Sequence, residues 1–218
     1  MKRLPENTNL KLLQEELYKG LKVNHNHGYL IENYLDRIYE CVTASLNRYP
    51  RTLMIRFDLR QFNCPWGDSD TLISKFFKAL NDEIRWDQEN KRRQGKRVHP
   101  CELRYCWVKE QPDVNRPPHY HVAIFLNKDA YHKLGSFNAA SETMRLRIEM
   151  SWARALECDI FDIRGLVEFP KNAIYELNRN SPNYFNQFGK AFYRLSYFAK
   201  AATKLYRDGT RWFGCSSK

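Results

Sequence analysis

The stretch "ELRYCWVKEQPDVNRPPHYHVAIFLN" (residues 102–127) decides the fold. Its first part alternates, with Leu103, Tyr105 and Trp107 set against Arg104, Cys106 and Val108. That is the period of a half-buried strand. "PDVNRPP" is turn chemistry. "HYHVAIFLN" then reads as another strand, and its unbroken apolar run suggests a central position in a sheet. A connection this short makes the two strands an antiparallel hairpin.

Working outward, "RTLMIRFDLR" (51–60) alternates with Leu53, Ile55, Phe57 and Leu59 on one face, which predicts a first strand. "TLISKFFKALNDEIRWDQENKRRQGK" follows as a helix, with Ser69 or Asp70 available to cap it. Met144, Ile148 and Trp152 recur at four-residue steps and predict a helix over 136–158. Residues 164–177 read as a fourth strand interrupted by Pro170. Residues 183–206 read as a long last helix. Residues 1–50 read as helical, since Leu30, Ile31, Tyr34, Leu35, Ile38, Val42 and Leu46 mark one helix face before Pro50 ends it. The order βαββαβ plus a final helix predicts an α+β fold. The expected form is the ferredoxin-like split βαβ, RRM-like, an antiparallel sheet covered by helices. We expect an N-terminal helical segment, 1–50, packed on a domain of residues 51–218.

Composition narrows the function. The 218 residues are 43% hydrophobic, which suits a folded chain rather than a disordered one. The net charge of +11 favours an anionic partner. Aromatic residues interleaved with Lys and Arg favour nucleic acid, against a soluble basic protein with no polyanion. No apolar run is long enough for a membrane span. Without a signal peptide, a cytoplasmic location is expected. The six cysteines form no CxxC pair, which argues against a zinc framework and for free thiols. The densest basic run is "ENKRRQGKR" (89–97). It is either a solvated helix end or an arm that lays Arg92, Arg93, Lys96 and Arg97 on phosphates.

Residues two apart on a strand share a face. His119 and His121 therefore point together, with Tyr120 opposite, and could chelate one ion. The spacing alone is a weak signal, because His25 and His27 repeat it in what reads as a turn. The hairpin strengthens it by bringing Glu110 beside the pair, although a charged hairpin end would look the same. Two histidines and one carboxylate leave coordination positions open for a substrate oxygen. With phosphate as a further ligand, Mg²⁺ or Mn²⁺ is the expected metal. Arg56, Asp58 and Arg60 share a strand face. It is either a solvated edge or a surface that sets Arg56 or Arg60 on phosphate. Asp58 ranks below Glu110 as a third ligand.

In "FYRLSYFAKAATK" (192–204), Tyr193, Tyr197, Lys200 and Lys204 fall on one helix face. Buried tyrosines and solvated lysines would give the same pattern. The chemical alternative is a phenol, of reference pKa about 10, that attacks phosphorus with help from a metal and a neighbouring ammonium. Trp66 and Trp107 are candidates for stacking on bases.

The two histidines of "HYHV" followed by "YFAK" resemble the HUH endonucleases, which include initiators of rolling-circle replication. The span from "RTLMIRFDLR" to "GTRWFGCSSK" is similar to the YagK/YfjJ type, a family of prophage proteins similar to filamentous-phage replication initiators. The resemblance covers about residues 25–218. It implies that His119, His121 and an acidic ligand hold a divalent metal. It also implies that Tyr197 cleaves one DNA strand to leave a 5′-phosphotyrosine and a free 3′-hydroxyl, with Lys200 and Lys204 offsetting charge. Its expected partners are single-stranded DNA or an origin duplex, with a host helicase and polymerase. Two-tyrosine initiators carry a second tyrosine where this chain has Ala201, so either one tyrosine suffices or Tyr193 substitutes. The same resemblance admits a binding protein that has lost activity, or a transposase or relaxase.

Overall fold

A computed structural model describes residues 2–62, 69–111, 117–135, 143–202, 204 and 210–216. The side chains of Ser69 and Asp70, the expected caps, lie outside the described residues, as do Cys64 and Trp66. So do most of the hairpin turn (112–116) and the start of the expected second helix (136–142).

The chain opens with five short strands, β1 (Lys2–Leu4), β2 (Asn7–Leu13), β3 (Leu17–Tyr18), β4 (Leu21–Lys22) and β5 (Leu30–Ile31). β1, β2 and β5 form one small sheet, and β3 and β4 a hairpin. The expectation of helix over residues 1–50 is therefore corrected. Only α1 (Glu32–Arg48) is helical there. The segment before it carries polar residues and glycine turns, with Gly20 and Gly28 at positive φ. Those turns break any helix and fold the chain into hairpins.

After α1 come β6 (Arg51–Arg60), α2 (Ser69–Arg93), β7 (Arg104–Glu110), β8 (His119–Asn127) and α3 (Met144–Leu156). Then follow β9 (Val167–Glu168), β10 (Ile174–Asn178), α4 (Tyr184–Ser196) and β11 (Phe213–Cys215). The main sheet runs β10-β6-β8-β7-β11 with β9 also on β6, and every pairing is antiparallel. The fold is thus α+β, with β8 central. The expected fourth strand is split into β9 and β10 around Pro170, which has no N–H for a ladder. Both pieces pair with β6.

Alternation sends the two faces of the sheet into two cores. Ile55, Phe57, Tyr120, Ile124 and Trp107 pack under α2 and α3. Met54, Cys106, Val108, Ala123 and Phe125 pack under α1 and α4, together with Tyr18 of β3 and Val23 just after β4. Trp107 is buried in the first core, so it offers no surface for base stacking. The side chain of Thr143 accepts the Leu146 N–H and caps α3. Trp152 of that helix is fully buried and donates from Nε1 to the Arg60 carbonyl at 2.8 Å. It ties α3 to the end of β6.

Trp152→Ala removes that tie and leaves a cavity among Phe76, Tyr120 and Ile148. The expected cost is about 3–5 kcal/mol, read as a lower urea midpoint with unchanged slope.

Candidate metal centre and its tyrosine

The site sits where β6, β7 and β8 end together, on the face covered by α1 and α4. In the ladders Glu110 is directly opposite His119, and Asp58 directly opposite His121. Strand alternation then turns all four side chains to one face. Ligand atoms of Glu110, His119 and His121 all lie within 4.8 Å of one another. This group could hold a metal ion.

Hydrogen bonding supports that capacity. His121 Nδ1 lies 2.5 Å from Asp58 Oδ1 and 2.9 Å from Arg56 Nη2, and with its proton on Nδ1 the ring donates to the nearer carboxylate. Asp58 is held in turn by Arg56 at 2.7 Å. A carboxylate on Nδ1 directs the Nε2 lone pair forward, which is how protein carboxylates orient metal-binding imidazoles. Glu110 Oε1 is buried without a hydrogen-bond partner, and His121 Nε2 has only a long contact, 3.4 Å, to the other carboxylate oxygen of Glu110. Unsatisfied buried polar atoms are costly, and an ion held by Glu110 and His121 would relieve that cost. His119 packs edge-on to His121, with ring centroids 4.9 Å apart.

The charges of the cluster shape one another. Burial raises the Glu110 carboxyl, but the bond and charge of His121, with Lys204 and Lys200, bring it down to about 2. Burial lowers His121, yet Asp58 and Glu110 outweigh it and leave the imidazole above its ordinary value. Burial and the neighbouring His121 both lower His119.

Tyr197 completes the arrangement. Its ring meets His121 edge-on at 5.3 Å. Lys200 Nζ donates to the Tyr197 hydroxyl at 2.9 Å and to Glu110 Oε2 at 3.2 Å. One ammonium therefore joins the phenol to the candidate ligand set. Burial lowers Lys200, and its bond to Tyr197 and the charge of Glu110 raise it above its ordinary value.

Several expectations are corrected here. The last helix does not reach residue 206. α4 stops at Ser196, Tyr197–Ala199 form a 3₁₀ turn, and Lys200 leaves in extended backbone. A bridge between Lys200 and Leu30, and a bond from Ala201 N–H to the Tyr29 carbonyl at 2.9 Å, pull the chain off the helix. Lys204 is not on a DNA-facing helix side. It is 8% exposed, its Nζ donates to the Lys200 carbonyl, and burial holds it down to about 7. Arg56 is 6% exposed and bonded to Asp58, so it is not free for phosphate. Arg60 is exposed but pairs with Glu168 at 2.9 Å.

Tyr193 is exposed in a groove whose lining includes none of Glu110, His119, His121 or Tyr197. Arg92, Arg93, Lys96 and Arg97 are exposed as expected, but at the other end of the sheet. Gln88 bonds Cys101, which bonds Asn127, the end of β8 opposite His119. That separation is about 26 Å along the strand.

The sequence reading missed two features. Asp58 and Arg56 act behind His121, a role that the register of β6 against β8 would have shown. His27, read as part of a turn, packs edge-on to Tyr197 at 5.3 Å. No signal in the sequence linked residues so far apart.

Asp58→Asn is expected to weaken metal binding about 10- to 100-fold, measured by calorimetric titration with Mn²⁺. The raised His121 value means the folded chain holds this proton more tightly than the unfolded one. Its stabilisation is complete below about pH 6.5 and is lost as pH rises through the elevated folded value. Metal and proton compete for this nitrogen, so metal affinity is expected to rise through the same window, with proton release read from titrations in buffers of different ionisation enthalpy.

The comparisons with known proteins agree with one another. A model of the YagK/YfjJ C-terminal domain matches residues 13–216. The uncharacterized protein YagK of Escherichia coli (strain K12) is 32% identical over 199 residues, covering 87% of this chain and 95% of that protein. The uncharacterized protein YfjJ of the same organism is 34% identical over 201 residues, covering 87% and 96%. No solved structure matches. The chain belongs to the YagK/YfjJ C-terminal domain family.

Proposed function

We propose that this protein is a metal-dependent HUH-type endonuclease that nicks and rejoins single-stranded DNA through a 5′-phosphotyrosine, and so initiates rolling-circle replication of a phage, prophage or plasmid. One observation carries the reading. The Tyr197 hydroxyl and the Glu110 carboxylate of a His-His-Glu group share the same Lys200 ammonium. A phenol held against a candidate metal group suits attack on a phosphodiester better than it suits a purely structural role.

His119, His121 and Glu110 would hold the divalent ion, which would supply polarisation of the scissile phosphate. Manganese suits the two imidazoles better than magnesium does. Asp58 keeps His121 in the tautomer that presents Nε2. Tyr197 Oη forms a bond to phosphorus as the bond from phosphorus to the 3′-oxygen breaks. The phenolic proton is matched by the one gained at the 3′-hydroxyl. Lys200 donates to the phenolic oxygen and so stabilises negative charge as it develops there. Attack by a 3′-hydroxyl on the phosphotyrosine reverses these steps and rejoins the strand. The phenol stands 2.9 Å from its ammonium before any substrate arrives, so little reorganisation is needed.

The test is incubation with labelled single-stranded origin DNA from filamentous phages, with Mn²⁺. Wild type is expected to form a covalent adduct that EDTA prevents and that Tyr197→Phe lacks. Lys200→Ala should slow the adduct about 10²-fold. An adduct persisting in Tyr197→Phe would remove Tyr197 as nucleophile. Tight binding with no adduct on any origin would favour a binding protein without catalysis.

A further inference from the structure

Phe185, Gly189, Tyr193 and Tyr197 follow at four-residue steps, so they form one row that runs along α4 and ends at the proposed nucleophile. Beside the row lies a groove of about 990 Å³ between α4 and the strands β4 and β10. Its walls include Lys22, Tyr175 and Lys190. Phe185 is 84% exposed and Tyr193 40% exposed. With Ile174 of β10, 38% exposed, they gather three exposed large hydrophobic side chains around one groove, which is how a surface for a partner is built.

Gly189 is the second observation. It lies inside a helix, where glycine costs about 1 kcal/mol relative to alanine. Neither backbone nor packing requires it. Its φ is not positive, and a Cβ there would meet nothing within 4 Å. The position opens a gap between Phe185 and Tyr193, which are about 12 Å apart along the helix. Two rings that far apart cannot touch each other, but each can take a base on its face.

We propose that this row and groove seat a single strand of nucleic acid, stacked on Phe185 and Tyr193 and passing over Gly189. The strand-transfer reading is needed only to place the neighbouring phosphate at Tyr197. Charge favours this occupant over an apolar protein surface. Lys22 of β4 and Lys190 of α4 both line the groove, the acidic wall residue Glu176 is paired with Lys128, and the whole chain carries +11. Exposed rings beside lysines are how proteins hold single strands with little sequence preference. A duplex keeps its bases paired and offers no face to stack.

The test is fluorescence anisotropy with labelled oligo-dT of about 12 nucleotides, a site size typical of single-strand binders. EDTA is present, so no chemistry intervenes. Phe185→Ala and Tyr193→Ala are each expected to weaken binding about tenfold or more. Gly189→Leu fills the gap and should weaken binding while the melting temperature holds or rises. Arg92→Ala with Arg93→Ala, at the far end of the sheet, should lose less.

Unchanged affinity in all three groove variants would overturn the proposal. So would absence of wild-type binding, or an equal loss for duplex DNA. A wild-type dimer that the variants dissociate in sedimentation would also overturn it, in favour of a second copy of this chain. The adduct assay separates the two readings. Groove-dependent binding without any wild-type adduct sinks strand transfer and keeps the groove. Adducts formed normally by groove variants with unchanged binding do the reverse.

Discussion

β8 is paired on both sides from His119 to Phe125, and the site depends on that double pairing. The ladder with β7 puts Glu110 opposite His119, and the ladder with β6 puts Asp58 opposite His121. A slip of one residue in either ladder would turn one acid to the other face of the sheet. The slip is blocked by the same alternation. Tyr120, Val122 and Ile124 between and after the histidines are fully buried under α2 and α3. Moving them to the other face would empty one core and crowd the second. Register is thus set by apolar packing, and the ligand geometry follows from it.

The polar side of β8 works against stability. Arg56, Asp58, Glu110, His121, Lys200 and Lys204 are all buried at one end of the sheet. Removing charges from water is expensive, and well-packed apolar residues in their place are often no less stable. Most of these groups answer one another, Arg56 to Asp58, Asp58 to His121, and Lys200 to Glu110. The exceptions are Glu110 Oε1, which has no partner, and His121 Nε2, which has only a 3.4 Å contact to Glu110 Oε2. A network built for stability would have closed those two as well. Their common aim toward the ligand group is why the cluster reads as a site.

Much of this was legible in the sequence because strand alternation is a local signal. The pairing of Glu110 with the histidines needed only a hairpin, and the helices α1, α2 and α3 announce themselves by apolar steps. What failed was non-local. The steps of four, three and four from Tyr193 to Lys204 predict helix, but α4 ends at Ser196 and Lys200 bridges to Leu30, more than 150 positions earlier. Likewise "ENKRRQGKR" shows its charge in the sequence but not its place. A 25-residue α2 carries it to the opposite end of the sheet from His119. Arg56 looked like a surface cation because alternation gives a face and not its cover. The cover is the helical layer of α1 and α4.

The N-terminal strands belong to the site for the same reason. Asn24 donates its N–H to Ser196 Oγ, Tyr29 accepts from Ala201, Leu30 bridges Lys200, and His27 meets the Tyr197 ring. Residues 24–30 therefore act as a strap across the segment that bears the phenol and its ammonium. A plain helix would have carried Lys200 one turn beyond Tyr197 on the same surface row. The extended backbone at Lys200 instead lets one ammonium reach both the phenol and Glu110. A segment expected to be helical thus sets, by its extended contacts, the conformation of the turn that bears Tyr197 and Lys200.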